Sequence, residues 1–365
     1  MTLQRKKFIV DFLKFLLFLA IGAGILFWVY ISQSRAFQEQ CAIDGIPEEQ
    51  CSLIRKLIAD FRSVNILWLV AVIVAFQLSN VVRALRWQMI CKPLGYKIKL
   101  GNAFWTIMLS YFANLGLSRA GEVIRAGSLA RYEKIKLDNV VGTVALDRFL
   151  DLVTMSIAIL IAFFFQYEEI QSYLASNMRD FDFAAFSRGW IFQTFVTGIV
   201  LFFLLVILFR NRIRQSLIYL KIKNFTKGVI AGMKTIRKIE RPFLFAFYSI
   251  LIWVFYFLMT YFAFFSFPPT ASLGIQAALL VFVFGSFGIL IPSPGGMGTY
   301  HALVVAALAI YGIRGDDAFS YANIVFFNIQ ILTTILFGVL SLIFLPINNK
   351  HYIPHHILIS DGHEK

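Results

Sequence analysis

The sequence predicts an all-α, polytopic helical membrane protein with about eight membrane segments, a number that rests on the usual span length. Of its 365 residues, 59% are hydrophobic and only 15% are charged, whereas a soluble chain carries roughly a quarter charged residues. Phenylalanine occurs 40 times, which is more apolar surface than a soluble protein can hide. Several apolar runs also reach the roughly 20 residues that a bilayer-spanning helix needs.

Six of these runs are long enough to cross a membrane: Phe8–Ile31, Ile66–Val82, Phe192–Phe209, Phe243–Phe267, Leu273–Ile291 and Phe319–Leu345. The first follows basic residues but lacks a small-residue cleavage site, so we expect a retained helix rather than a signal peptide. No Gly/Ser/Pro-rich linker sets off a soluble domain. We therefore expect one membrane domain over residues 1–350 and a short cytoplasmic tail over residues 351–365.

The formal net charge of +14 does not indicate a nucleic-acid partner, because the basic residues alternate between loops. Residues 83–99 contain five basic and no acidic residues, and residues 210–241 contain ten basic residues and one acidic residue. The loops at 32–65 and 168–190 contain more acidic than basic residues. This positive-inside pattern predicts a multi-pass membrane protein with both termini in the cytoplasm. The basic segment 210–241 is predicted to lie along the membrane surface.

The segment Asn102 to Arg131 is the first of two interruptions in the helix pattern. Its apolar part is about fifteen residues long, which is short for a span, and basic residues flank both sides. Entering from the cytoplasm and returning there satisfies the charge rule. The sequence therefore predicts a re-entrant hairpin.

The second interruption lies in Gly285 to Val305, where Pro292, Pro294, Gly295, Gly296 and Gly298 separate two apolar segments. Proline bars helix continuation, and glycine accepts dihedrals that other residues resist. A broken backbone at membrane depth is tolerated only where it packs in protein or lines a wet cavity. We interpret the two breaks as candidate counterparts in two related halves, an arrangement typical of transport sites; a kink between packed helices is the alternative.

Charged residues inside the apolar segments are candidate site residues because they are costly there unless paired. Asp147 and Asp151 share one helix face and Arg148 lies beside them, either as a pair that locks helices together or as a cavity wall that contacts a headgroup. Glu122 and Arg125 are three residues apart and can pair, which leaves Arg119 for Asp147, Asp151 or a phosphate.

Three further features complete the set. Arg83 and Arg86 lie near a helix end, where we expect snorkelling to headgroups, with a specific ligand contact as the alternative. His301 follows the Pro/Gly break and is a candidate titratable site. Cys41 and Cys51 lie in the predicted outer loop, where a disulfide is allowed, and the sequence leaves its formation open. The spacing of His and Cys indicates no metal site, and we expect no cofactor.

These residues together resemble the lysylphosphatidylglycerol synthase transmembrane-region proteins. The resemblance extends from about Val10 to Leu345 and rests on four motifs in order: Arg83-x-x-Arg86-Trp87, Arg119-x-Gly121-Glu122-x-x-Arg125, Asp147-Arg148 with Asp151, and Pro294-Gly295-Gly296-x-Gly298. It implies a flippase domain that moves an aminoacylated phospholipid. Two positions depart from the family pattern: Leu117, where the family often has proline, and His301, where it commonly has glutamate.

Three functions are open at this point. The interrupted segments and buried charges favour a flippase that moves an anionic or modified phospholipid, or a lipid-linked molecule, between leaflets. A non-catalytic membrane partner of a separate lipid-modifying synthase is the second hypothesis. A membrane-embedded lipid-modifying enzyme is the third, although no nucleophile with a base and no metal cluster stands out.

Overall fold

Every element that the structure describes is a helix, which confirms the predicted all-α fold. The structure, a computed structural model, describes residues 3–43, 47, 51–116, 120–167, 239–291 and 296–354. The helices are α1 (Leu3–Ile43), α2 (Leu53–Ser63), α3 (Ile66–Cys91), α4 (Leu100–Gly116), α5 (Ala120–Glu133), α6 (Leu137–Phe165), α7 (Pro242–Ser266), α8 (Ile275–Leu290), α9 (Thr299–Ile310), α10 (Gly315–Phe326) and α11 (Thr334–Asn349), and a π-helix, Phe327–Thr333, joins the last two.

Three of the described helical stretches are long and apolar enough to cross a membrane: Ile66–Leu94, Pro242–Ser266 and Gly315–Asn349. Local signals set the limits of the first. The Asn65 side chain accepts a hydrogen bond from the backbone N–H of Leu67 at 3.0 Å, a standard N-cap. The chain leaves the stretch through Gly95, whose φ of 83° is a conformation that glycine adopts without strain. The predicted span Phe192–Phe209 and most of the basic segment 210–241 lie outside the described residues.

Helices α3 and α7 form an antiparallel pair that defines the two ends of the molecule. At one end the N–H of Asn65 donates to the carbonyl of Ser266 at 2.8 Å. At the other, Lys92 pairs with Glu240 at 2.6 Å. We call the first the disulfide end, because the Cys41–Cys51 disulfide precedes α2 there, and the second the basic end. The disulfide that the sequence left open is thus formed.

Helices α4 and α5 form a hairpin that opens at the basic end. Glu133, the last residue of α5, accepts a hydrogen bond from Asn102 near the start of α4 at 2.6 Å. Near the tip, the N–H of Gly121 donates to Asn114 at 2.8 Å. A Cβ atom at position 121 would lie 2.2 Å from a backbone oxygen of α4, so glycine allows this close approach. The antiparallel pairing agrees with the predicted hairpin, while its return to one membrane face remains a prediction.

Helices α8 and α9 form a second hairpin, which opens at the disulfide end. The start of α8 and the end of α9 both contact Gln166, just after α6. Gln166 donates to the carbonyl of Gln276 at 2.6 Å and accepts from the hydroxyl of Tyr311 at 2.7 Å. The break that the sequence predicts within Gly285 to Val305 lies between the end of α8 and the start of α9. Gly296 and Gly298 have φ values of 81° and 80°, which other residues rarely adopt, and Pro292, Pro294 and Gly295 lie outside the described residues.

Candidate functional site

The site is built on α6, where two carboxylates lie one helical turn apart. Asp147 is fully buried, and Asp151 is 9% exposed. Because residues four apart share a helix face, both carboxylates point to the same neighbours. Each meets arginines from other helices, and the resulting set of side chains is called the ion network below.

Helix α3 supplies two arginines to this network. Arg86 donates to Asp147 at 2.5 Å and to Asp151 at 2.7 Å, and Arg83 pairs with both carboxylates as well. The predicted snorkelling of Arg83 and Arg86 is wrong, since the residues are only 2% and 0% exposed. The reason is that α3 continues to Cys91, which places Arg83 about 12 Å inside its end at 1.5 Å per residue, facing the carboxylates of α6.

Helix α5 supplies Arg125, which donates to Asp147 at 2.9 Å. Its guanidinium also lies over the ring of Trp87, 3.9 Å from the centroid, a cation–π contact. The Trp87 indole is in turn fixed by a hydrogen bond to the hydroxyl of Thr143 at 2.9 Å. Arg125 is therefore held from two sides and is fully buried.

The expected pairing of Glu122 with Arg125 is wrong. Glu122 pairs instead with Arg148 on α6 at 2.5 Å, and Arg148 also lies 3.4 Å from Asp151. The two α5 residues contact different residues of α6, so their spacing of three does not bring them together. Side chains of this pair are 36% and 31% exposed, which makes Glu122–Arg148 the accessible edge of the network.

Two tyrosines that the sequence did not single out extend the network. Arg83 donates to the hydroxyl of Tyr256 on α7 at 3.3 Å, and that hydroxyl lies 3.2 Å from the hydroxyl of Tyr111 on α4. A tyrosine within an apolar run has no sequence feature that distinguishes a network member from a packing residue. Only the packing of α4 and α7 against α3 identifies these two.

The charges of the described network do not balance. It contains four arginines (Arg83, Arg86, Arg125 and Arg148) and three carboxylates (Glu122, Asp147 and Asp151). Several buried donors, including two guanidinium nitrogens of Arg125 and the Nε of Arg148, have no hydrogen-bond partner among the described residues. The described network therefore carries one more positive than negative charge. Arg119, the remaining predicted arginine, lies outside the described residues.

His301 lies in the second hairpin, away from the contacts that build the network. It is 1% exposed, and its ring packs against Phe326 and Phe319 of α10, with centroids 4.8 and 6.1 Å apart. The described hydrogen bonds and ion pairs of the network come from α3 to α7 instead. A single cavity shared by both breaks remains a prediction.

Within the described part of the chain, no cluster of three His, Cys, Asp or Glu side chains is arranged to hold a metal ion. The described network consists of guanidinium, carboxylate and tyrosine hydroxyl groups. Its guanidinium groups are of the kind that bind anions through paired hydrogen bonds.

The long apolar helices indicate an integral membrane protein, and a buried ion network lies beside its first hairpin. The chain belongs to the family described as the lysylphosphatidylglycerol synthase TM region, whose model matches residues 52–338. It is thus an integral membrane protein of the aminoacyl-phosphatidylglycerol synthase or flippase type. No curated protein and no solved structure matches the chain.

Proposed function

We propose that the protein is a flippase of the bacterial inner membrane, with both termini in the cytoplasm. It moves an anionic or modified phospholipid, or a lipid-linked molecule, between the leaflets. The observation that carries the proposal is the charge of the ion network: among the described residues it has one more arginine than carboxylates, and the Glu122–Arg148 pair is accessible. A lipid phosphate is an anion that this network would accept.

A network of buried charges is an energetically unfavourable way to hold helices together. Charges inside a membrane are costly unless they are paired or hydrated, and apolar packing of equal volume often stabilises at least as well as a buried ion pair. A network with an excess cation is less favourable still. The excess positive charge therefore supports a role in binding an anion over a purely structural role.

We assign different roles to the buried part of the network around Asp147 and to its accessible edge, the Glu122–Arg148 pair. Arg83 and Arg86 of α3 and Arg125 of α5 are buried and contact Asp147 from two helices, so they form a fixed base. Arg148 pairs with Glu122 at 2.5 Å and makes a longer contact of 3.4 Å to Asp151. A phosphate oxygen that approaches Arg148 replaces Glu122, because guanidinium binds phosphate in a bidentate manner.

Transbilayer movement of fluorescent phosphatidylglycerol in vesicles containing the purified protein tests the proposal. A membrane-impermeant quencher bleaches only the outer-leaflet label in empty vesicles, and we expect it to bleach the remainder when the wild type is present. Arg148→Gln should slow this phase by roughly tenfold or more, since a hydrogen bond to a charged group contributes about 1.5–3 kcal/mol.

The matched control is Lys92→Gln, which breaks an ion pair whose side chains are 53% and 64% exposed. It should leave the rate unchanged. Wild-type vesicles that bleach no faster than empty ones would refute the flippase proposal. Chemical turnover of the lipid without movement would indicate a membrane-embedded enzyme instead.

A separate lipid-modifying synthase is a proposed partner, and this second role is supported by the matched family, which is named for the membrane region of a synthase. In this arrangement the protein handles a lipid that another chain modifies. Co-purification of the tagged, full-length chain with a lipid-modifying enzyme after crosslinking in cells tests it. Recovery of the same enzyme with an unrelated tagged membrane protein would contradict it.

A further inference from the structure

The long helical stretch Gly315–Asn349 changes its hydrogen-bond pattern near its middle. There the π-helix Phe327–Thr333 separates α10 from α11. The hydroxyls of Thr333 and Thr334 donate to carbonyls five residues earlier in the chain, at 2.6 and 2.9 Å. In an α-helix such a hydroxyl bonds three or four residues back, as that of Thr154 on α6 does. The two threonines therefore support the wider turn of the π-helix.

The half of the stretch before the π-helix, α10, packs on elements of the disulfide end. The ring of Phe326 lies against that of His301 on α9, with centroids 4.8 Å apart. An ion pair of 2.6 Å between Asp317 and Lys56 joins α10 to α2. We therefore treat α2, α8, α9 and α10 as one packed unit, called the disulfide-end body below.

The half after the π-helix, α11, packs on the first hairpin instead. Phe344 stacks on Trp105 of α4, with centroids 5.0 Å apart and ring planes at 22°. Gly338 approaches α4 so closely that a Cβ atom there would overlap a side chain of that helix. At the basic end, the side-chain amides of Asn349 and Asn102 donate to each other at 2.6 and 2.9 Å. We call α4, α5 and α11 the basic-end body.

The π-helix is attached to the rest of the molecule through its buried face. Asn328, which is 4% exposed, donates to the carbonyl of Leu69 on α3 at 3.2 Å. Phe327 and Leu332 are 49% and 48% exposed, so the opposite face is open. Helices bend at π-helical turns, and such turns are frequent at functional sites. A bend at this point can therefore move both halves of the stretch while Asn328 stays on α3.

We propose that the π-helix Phe327–Thr333 is a hinge between the disulfide-end body and the basic-end body. Packed helices move as units, whereas a few residues between them absorb the change in backbone dihedrals. Bending at the hinge changes the distance between the two hairpins. The first hairpin stays joined to the ion network through Arg125, so the second hairpin is the one that moves. If the protein moves a lipid, which rests on the proposed function, this motion opens and closes the path from the network to the disulfide end.

Double electron–electron resonance on the purified full-length chain in phosphatidylglycerol nanodiscs tests the hinge. Spin labels are attached to cysteines that replace four exposed residues, Ala59 and Ala306 in the disulfide-end body and Val123 and Ile347 in the basic-end body. The native cysteines do not take the label, because Cys41 and Cys51 form a disulfide and Cys91 is buried.

The label pair across the hinge, at positions 306 and 347, should show two distances or one broad distribution. The pairs within one body, at positions 59 and 306 and at positions 123 and 347, should each show a single narrow distribution. A distribution across the hinge that is as narrow as those within the bodies would overturn the proposal.

The variant Thr333→Val with Thr334→Val removes both hydroxyl bonds and keeps the shape of the side chains. It should shift the distance distribution across the hinge and leave the two pairs within the bodies unchanged. Thr154→Val is the matched control, because its hydroxyl bonds within an ordinary α-helix, and it should behave as the wild type does. An unshifted distribution in the double variant, or equal shifts in all three pairs, contradicts the hinge.

This readout is independent of transport. A wild type that moves no lipid, but shows two distances across the π-helix, leaves the hinge in place and refutes the flippase proposal. Normal transport with a single narrow distance across the π-helix does the reverse. The two inferences therefore fail separately.

Discussion

Replacing Asp147 by asparagine should destabilise the protein more than almost any other single polar substitution. Asp147 accepts hydrogen bonds from Arg83 at 3.3 Å, Arg86 at 2.5 Å and Arg125 at 2.9 Å, and it is fully buried. Asparagine removes its charge and leaves four arginines facing two carboxylates. Breaking a buried ion pair on one side costs about 3–5 kcal/mol, because the remaining charge stays buried.

Equilibrium unfolding of the purified protein in mixed micelles measures this loss as a change in the free energy of unfolding. Glu240→Gln is the matched control, because it breaks an ion pair that is more than half exposed and should cost no more than about 1 kcal/mol. A loss in Asp147→Asn within about 1 kcal/mol of this control would refute the reasoning, since the network would then be hydrated or replaceable.

A double-mutant cycle with Arg125→Met separates the charge from the packing. Arg125 pairs with Asp147 through the contact at 2.9 Å, so each single substitution leaves a buried charge that the double substitution removes. We expect the double variant to be less destabilised than the sum of the singles by about 0.5–3 kcal/mol, the usual range for contacting residues. Simple additivity would show that the two groups do not interact energetically.

Three further predictions concern the hairpins and the two ends. Gly121→Ala should open the first hairpin and lower the unfolding midpoint, because its Cβ would lie 2.2 Å from the carbonyl oxygen of Ser110. Gly127→Ala is the control and should be neutral or stabilising, because nothing lies within 4 Å of its Cβ. Equal effects of the two substitutions would contradict the close packing at Gly121. Single cysteines replacing Lys97 and Arg131 should react with an impermeant thiol reagent from the same side, and one replacing Arg314 from the opposite side; any other pattern contradicts the inverted hairpins. Burial, and then the neighbouring Glu133, raise the pKa of Tyr352 to about 12 from 10.0. The stability that this shift contributes is therefore present below pH 10 and is lost as the pH rises from 10.0 to about 12. In unfolding measured against pH, Tyr352→Phe should reduce this loss.

Much of the fold could be predicted because its signals are local. Run length and composition predict the spans, and the short apolar segment with basic flanks predicts the first hairpin. The glycines at 296 and 298 have the positive φ that a break requires. The spacing of Asp147 and Asp151 places both on one face of α6, and the structure places both in the same network.

The pairing of charges could not be predicted because it depends on which helices pack together. Glu122 and Arg125 are within reach of each other along α5, yet they bind different residues of α6. The burial of Arg83 and Arg86 likewise follows from the packing of α3 against α6, which a single sequence does not specify. The opposite orientation of the two hairpins is also a property of their packing, since the two interrupted segments share few residues.

The strength of the buried contacts limits which part of the network can move during transport. Opening the base around Asp147 would cost about 3–5 kcal/mol, which lowers the population of an open state by about 10² to several times 10³, at 1.4 kcal/mol per factor of ten. Exchanging Glu122 for a phosphate on Arg148 keeps a guanidinium–anion pair throughout, and the displaced Glu122 side chain is 31% exposed, so this exchange costs less than opening the buried base. The base formed by Arg83, Arg86 and Arg125 therefore remains assembled, and the accessible Glu122–Arg148 pair is the part that rearranges when a headgroup enters.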